Sequence, residues 1–193
     1  MRYVVLLVLC LTGIQCFGQK EVADFRLKNV NGKMVSLGDY PNAKGFIVVF
    51  TCNHCPFAKR YPARMNALDK KYKILGVPLI AISSVDTTVY DEDAYPEMVK
   101  KARADKYRFP YLYDPLQVVA RNFGAVKTPH AFVIWKEQGK WVIKYNGGID
   151  DNGAEPEKVK SHFVADAVDA LLAKKEVNIK ETKSVGCAIH YRK

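Results

Sequence analysis

The sequence is poor in metal ligands. Its 193 residues hold five cysteines and four histidines. A single Cys-x-x-Cys occurs, and neither a second one nor a His pair stands at the spacing that would complete a four-ligand zinc site. Neither a metal nor a cofactor is therefore expected. No internal repeat and no low-complexity segment is present, which excludes a repeat architecture. One apolar run stands out, Tyr3 to Ile14, broken only by Thr12 and Gly13, and it is too short to span a bilayer comfortably. The formal net charge is +10, yet Lys and Arg are scattered among acids. That pattern describes a solvated basic surface suited to acidic partners or an anionic membrane, and no nucleic-acid partner is expected.

Arg2 ahead of that run and Cys16-Phe17-Gly18 after it have the order of a signal peptide, residues 1–18, cut near Gly18 or Gln19. Lipidation at Cys16 is disfavoured by Gln15 before it, and an anchor formed by an uncleaved N-terminus is the alternative. The expectation is export, to the periplasm, with no stable membrane insertion after cleavage. Cys10 and Cys16 would leave with the signal. Cys52, Cys55 and Cys187 remain, an odd number in an oxidising compartment, which flags a reactive or alternately paired thiol. Residues 19–176 suffice for one domain with its own core, and 177–193 form a C-terminal tail containing Cys187.

The chain is organised around Cys52-Asn53-His54-Cys55-Pro56. Phe46 to Phe50 before it is apolar and β-branched, the signature of one buried strand. Phe57, Tyr61, Met65, Leu68 and Tyr72 after it recur every three or four residues, which predicts a helix with one apolar face. Pro56 fits the first turn of that helix, and Pro62 should kink it near its middle. Two cysteines at a strand-to-helix turn meet unpaired N–H groups and the positive end of the helix dipole, which lower a thiol pKa. Disulfide exchange needs an attacking thiolate and a second thiol one turn away. A purely structural disulfide is the weaker reading, because a two-residue loop closes little chain entropy.

Elsewhere, Asp24-Phe25-Arg26-Leu27 and Lys33 to Leu37 alternate about Asn31-Gly32, a hairpin signature. Pro78 to Ser83 reads as a second buried strand, parallel to the first in a βαβ unit. Asp91 to Lys106 reads as a helix. Asp114-Pro115 caps a short helix bearing Val118, Val119 and Phe123 and closed by Gly124. Ala131 to Trp135 and a second strand through Trp141, Ile143 and Tyr145 flank a turn near Gln138-Gly139. A final helix follows Glu155-Pro156 with Val159, Phe163, Ala167, Leu171 and Leu172 as its apolar face.

This order resembles the thioredoxin fold over roughly residues 20–175: an α/β chain with a central mixed β-sheet flanked by helices, plus an added N-terminal β-hairpin. Cys52 to Phe57 and the tail Ser184-Val185-Gly186-Cys187-Ala188-Ile189 look like a peroxiredoxin-like subgroup of the alkyl hydroperoxide reductase/thiol-specific antioxidant (redoxin) superfamily. The resemblance implies that Cys52 is the attacking thiol and the more exposed one, and Cys55 the resolving thiol. It implies that His54 tunes the couple towards oxidation. It also implies that Thr128-Pro129 carries a cis bond facing the disulfide, its backbone free to pair with an extended substrate. His130 reads as a strand residue or a third metal ligand, and Cys187 as a possible further resolving thiol, a buried hydrophobe or a free tail thiol.

Two departures from the family pattern stand out. Phe46 to Phe50 contains no acid to move the resolving thiol's proton, and neither cysteine sits in the Pro-x-x-x-Thr-x-x-Cys pattern of peroxiredoxins. The expected activity is exchange of the Cys52–Cys55 disulfide with protein thiols or disulfides, served by a redox partner protein. The alternatives are a thiol peroxidase resolved by Cys187 and, outside enzymes, a copper-handling chaperone using soft thiolates.

Overall fold

The structure, a computed structural model, describes residues 20–192. The expected signal peptide lies outside the described residues. Strand β4 (Gly45–Phe50) is buried on both faces, as its unbroken apolar run dictates. It pairs in parallel with β5 (Leu79–Ser83), which pairs in parallel with β6 (Tyr111–Tyr113). On its other side β4 pairs antiparallel with β8 (His130–Glu137), and β8 with β9 (Lys140–Gly147). The hairpin β2 (Arg26–Asn29) and β3 (Met34–Ser36) extends one edge through β6, and β1 (Glu21–Val22) closes the other on β9. The eight-stranded order is β1-β9-β8-β4-β5-β6-β2-β3. The thioredoxin-like α/β fold and the added hairpin are therefore as expected, with Gly32 in the left-handed conformation its turn requires.

Alternation along β4 splits the core. Ile47 and Val49 face α1 (Pro62–Tyr72), α2 (Tyr95–Ala104) and α4 (Phe163–Leu172), meeting Met65, Met98 and Val164. Phe46, Val48 and Phe50 face α3 (Val118–Phe123), meeting Val119 and Phe123. Asp114 anchors α3 as expected: its carboxylate accepts the N–H groups of Val118 and Ala120 at 3.1 Å each. Gly124 ends the helix at φ +76°.

Four boundaries differ from the expectation, three of them at proline. Pro62 does not kink a helix; it starts one, because α1 begins there and only a 3₁₀ turn, Ala58–Arg60, lies between it and the cysteines. A ring that clashes with the preceding turn is tolerated only in the first turn of a helix. Pro96 acts in the same way. Ala94 is extended at ψ 150°, so Asp91–Asp93 forms a separate 3₁₀ turn and α2 starts at Tyr95. Pro156 opens only a 3₁₀ turn, which leaves Val159 outside α4. Strand β6, three residues long, was hidden between two helical patterns.

Residues 177–192 fold back onto the domain. Thr182 N–H donates to Asn146 O, Val177 and Ile189 are buried in the core, and β10 (Cys187–Ala188) pairs antiparallel with β7 (Lys127–Thr128). No helix among the described residues is long and apolar enough to cross a membrane.

Candidate active site

Strand β4 delivers Thr51 and Cys52 to the end of the sheet where β7 meets β8, and the 52–55 loop turns the second cysteine back over the same spot. The Thr128–Pro129 bond there is cis, as expected. Thr128 serves both sulfurs: its Oγ1 lies 3.0 Å from Cys52 Sγ and its carbonyl 3.2 Å from Cys55 Sγ. Both cysteines are fully buried at 0 % exposure, so the expectation that Cys52 is the more exposed does not hold. The tail packs beside the pair and brings the half-buried Cys187 into the same cluster, with Ala58, Val85 and Tyr90 around them.

The two thiols share a hydrogen bond and so titrate as a pair. Its effect is to push Cys52 far above the ordinary thiol range, assisted by burial and by the nearby Asp93 carboxylate. The same bond lowers Cys55 to about 4, against the opposing effect of burial, with further hydrogen bonds from the Cys187 thiol and from backbone N–H groups including that of Ala58. The Thr128 carbonyl works against this by preferring a protonated sulfur, but it is one acceptor against several donors. The two sulfurs are thus pushed in opposite directions, Cys55 towards the thiolate and Cys52 towards the thiol. No α-helix N-terminus contributes, because α1 begins only at Pro62; hydrogen bonds replace the expected helix dipole.

His54 is mostly buried, its ring stacked on Tyr90 with centroids 4.0 Å apart, and its Nδ1 lies 2.5 Å from Asp93 Oδ2. The other oxygen of Asp93 accepts the Asn53 N–H, also at 2.5 Å. Asn53 in turn donates from its side chain to Glu92 O and accepts the Tyr111 hydroxyl at 3.0 Å. The loop between the cysteines is thus tied to the 91–93 turn, and Asp93 is a fully buried acid close to Cys52. Sequence reasoning missed it because thirty-nine residues separate it from His54 and because Asp91, Glu92 and Asp93 look alike as an acidic helix start. His130 is a buried strand residue: Nδ1 accepts the Val126 N–H at 3.2 Å, and burial pushes the imidazole down to about 4.

One group among the described residues offers clustered metal donors: Cys52, His54 and Asp93 place ligand atoms within 4.8 Å of one another. The set mixes a soft sulfur with a hard carboxylate whose oxygens already accept two short hydrogen bonds, and His130, the candidate third ligand, lies outside it. Soft Cu(I) selects sulfur, which this set does not concentrate.

Comparison with known proteins finds the same fold and a family. A solved structure of an uncharacterised conserved protein from Geobacillus kaustophilus is 34 % identical, with a TM-score of 0.82 over 90 % of this chain and 92 % of that one. A hypothetical protein from Sinorhizobium meliloti is 28 % identical, with the same TM-score over 90 % and 94 %. The thiol-disulfide oxidoreductase ResA of Bacillus thuringiensis is 28 % identical over 128 residues, 66 % of this chain and 69 % of that protein. The AhpC/TSA family profile matches residues 19–151, which include both cysteines of the Cys-x-x-Cys and Thr128-Pro129. The chain belongs to the AhpC/TSA family.

Proposed function

We propose that the protein is an exported thiol-disulfide oxidoreductase whose Cys52 and Cys55 cycle between dithiol and disulfide at the expense of protein thiols or disulfides, with a second redox protein completing the cycle. The observation that carries this reading is the pair itself: two buried cysteines at a strand end, with Thr128 Oγ1 3.0 Å from Cys52 Sγ and the Thr128 carbonyl 3.2 Å from Cys55 Sγ. Thiolate character makes a cysteine reactive, and a low pKa makes it a fast leaving group when the disulfide is reopened. The name carried by the Bacillus thuringiensis relative favours the same reaction. The apolar segment at residues 3–14 supports export, and an oxidising compartment such as the periplasm is where a Cys52–Cys55 disulfide persists.

Peroxide reduction, which the family name brings forward, draws little from the site. Neither cysteine stands in the peroxiredoxin pattern, Cys52 is pushed away from the thiolate form by Cys55 and by burial, and the tail covers Cys55. The test is equilibration against a graded glutathione buffer, with mass spectrometry locating the disulfide at each poise. A Cys52–Cys55 couple at roughly −120 to −200 mV marks an oxidant or isomerase, and one at about −270 mV or below a reductant. Rapid peroxide consumption by the reduced protein, without a Cys52–Cys55 disulfide at any poise, would overturn the proposal.

A further inference from the structure

The backbone edge expected to be open to an extended substrate is occupied. Cys187 stands directly opposite Thr128 in the β7–β10 register, with Ala188 opposite Lys127. The tail is fastened on both sides of this point. Ahead of it, Ser184 Oγ donates to Pro129 O at 2.5 Å. Beyond it, Ile189 N–H donates to Val126 O at 3.0 Å, and the Gln117 side chain donates to His190 O and accepts from Arg192 N, each at 2.8 Å. Gly186 packs so closely that a Cβ there would lie 2.0 Å from Thr128 O. This is a built strand rather than a loose end.

Its position has a chemical consequence. Cys52 and Cys55 have no exposed surface, whereas Cys187 is partly exposed, packs on the same cluster and stands opposite Thr128, whose carbonyl lies 3.2 Å from Cys55 Sγ. Clefts open on either side of the tail: one of about 310 Å³ bordered by His54, Tyr90 and Ile189, the other of about 240 Å³ bordered by Phe57, Pro129 and Val185. A protein chain approaching the site therefore meets Cys187 first.

We propose that the tail is an internal strand filling the substrate's place on the Thr128 edge, and that Cys187 is the outward thiol of a three-cysteine relay through which the buried pair exchanges with protein thiols. The inference rests on the Cys52–Cys55 reading above. Starting from the Cys52–Cys55 disulfide, the Cys187 thiolate attacks Cys55 Sγ. The Cys55–Cys187 bond forms, the Cys52–Cys55 bond breaks, and Cys52 leaves with the electron pair and takes up the proton Cys187 lost. A thiolate of a protein dithiol then attacks Cys187 Sγ and expels Cys55 as thiolate. The second substrate thiolate attacks the mixed disulfide and expels Cys187. Two electrons and two protons pass from the substrate, which becomes a disulfide, to the protein, and the same steps run in reverse for a substrate disulfide.

Cys55 suits the shared position, since its low pKa makes it the better leaving group in the second step. In the reduced protein Cys187 is raised to about 11 by burial and by its bond to Cys55. Once Cys55 is oxidised, its thiolate no longer opposes ionisation of Cys187, and the nearby Lys127 ammonium favours it.

The test uses the whole protein and a synthetic two-cysteine peptide in its dithiol form. Oxidised by glutathione disulfide, the Cys52→Ser variant should form an internal Cys55–Cys187 disulfide, mapped by mass spectrometry. Oxidised Cys187→Ser should keep its Cys52–Cys55 disulfide yet oxidise the peptide at least about tenfold more slowly than the natural protein, having lost the tethered thiol. Glutathione retained on Cys55 of Cys52→Ser beside a free Cys187, or peptide oxidation by Cys187→Ser at the natural rate, would overturn the relay alone. Absence of a Cys52–Cys55 disulfide in the natural protein would instead remove the oxidoreductase reading beneath it. The Cys52→Ser result stands whether or not Cys187→Ser folds.

Discussion

Replacing Gly186 by alanine separates the tail from the site without touching a sulfur. The added Cβ would stand 2.0 Å from Thr128 O, 2.7 Å from Thr128 C and 3.2 Å from Pro129 Cδ, so the obstacle is backbone and cannot swing aside. Restoring an ordinary contact of about 3.4 Å needs a separation larger by about 1.4 Å, which breaks hydrogen bonds of ladder length. At about 1 kcal/mol each, loss of the Ser184–Pro129 bond, the Ile189–Val126 bond and the β7–β10 ladder removes about 3 kcal/mol. For a domain of this size that lowers Tm by about 6–12 °C. The informative readout is alkylation of the reduced protein by a bulky maleimide, with labelled peptides quantified by mass spectrometry. Cys55 is shifted towards the thiolate but is sealed, so it should stay unlabelled in the natural protein and be rapidly labelled in Gly186→Ala, whatever label the partly exposed Cys187 takes. A lower Tm with Cys55 still unreactive would refute the argument that the tail controls access to the pair.

Three further outcomes follow from the same geometry. Asp93→Ala removes two charge-assisted hydrogen bonds from a fully buried carboxylate; a loss of about 3 kcal/mol is expected in urea unfolding, and a change within error would show that the 52–55 loop does not depend on that turn. Cys55 lies below the free-thiol value of 9.0 and Cys52 above it, so the reduced pair contributes stability that is lost as pH falls from 9 towards 4 through the Cys55 ionisation, and is lost again as pH rises past 9 because Cys52 resists ionisation. The urea midpoint of the reduced protein, minus that of the Cys52→Ser/Cys55→Ser double variant, should therefore peak near pH 9, and a flat difference would count against these opposed shifts. Arg64 pairs with Asp150 through contacts of 2.6 and 2.8 Å, and Asp150 is nearly inaccessible; Arg64→Ala should cost about 3–5 kcal/mol in the same urea assay because it leaves a buried charge unpaired.

Much of the fold was legible because its signals are local. An apolar run such as Phe46 to Phe50 can satisfy water exclusion only between two layers, and Asn31-Gly32 between alternating segments admits few backbones other than a hairpin. Three of the four boundary differences share one local cause. Periodicity in Phe57 to Tyr72 continues across Pro62 because apolar side chains on a turn and on the following helix can face the same core, while the backbone must restart at the proline. The pattern of side chains and the hydrogen-bond ladder are separate constraints, and proline acts only on the second.

The site was legible where chemistry is carried by neighbours in sequence and opaque where it is carried by neighbours in space. Cys52, His54 and Cys55 announce themselves. Asp93 does not, since burial of one acid among three depends on where Pro96 resets the helix start. The tail left a clue in Gly186. A glycine inside a short alternating segment weakens a strand unless another backbone comes close, and here the approach is to Thr128 itself. A cysteine placed directly after such a glycine is carried on a strand that another strand's backbone must meet. In an α/β chain with one exposed strand end beside its reactive thiols, that meeting point is the edge at Lys127–Thr128. The same closeness that makes Gly186 intolerant of a side chain therefore fixes Cys187 over Cys55.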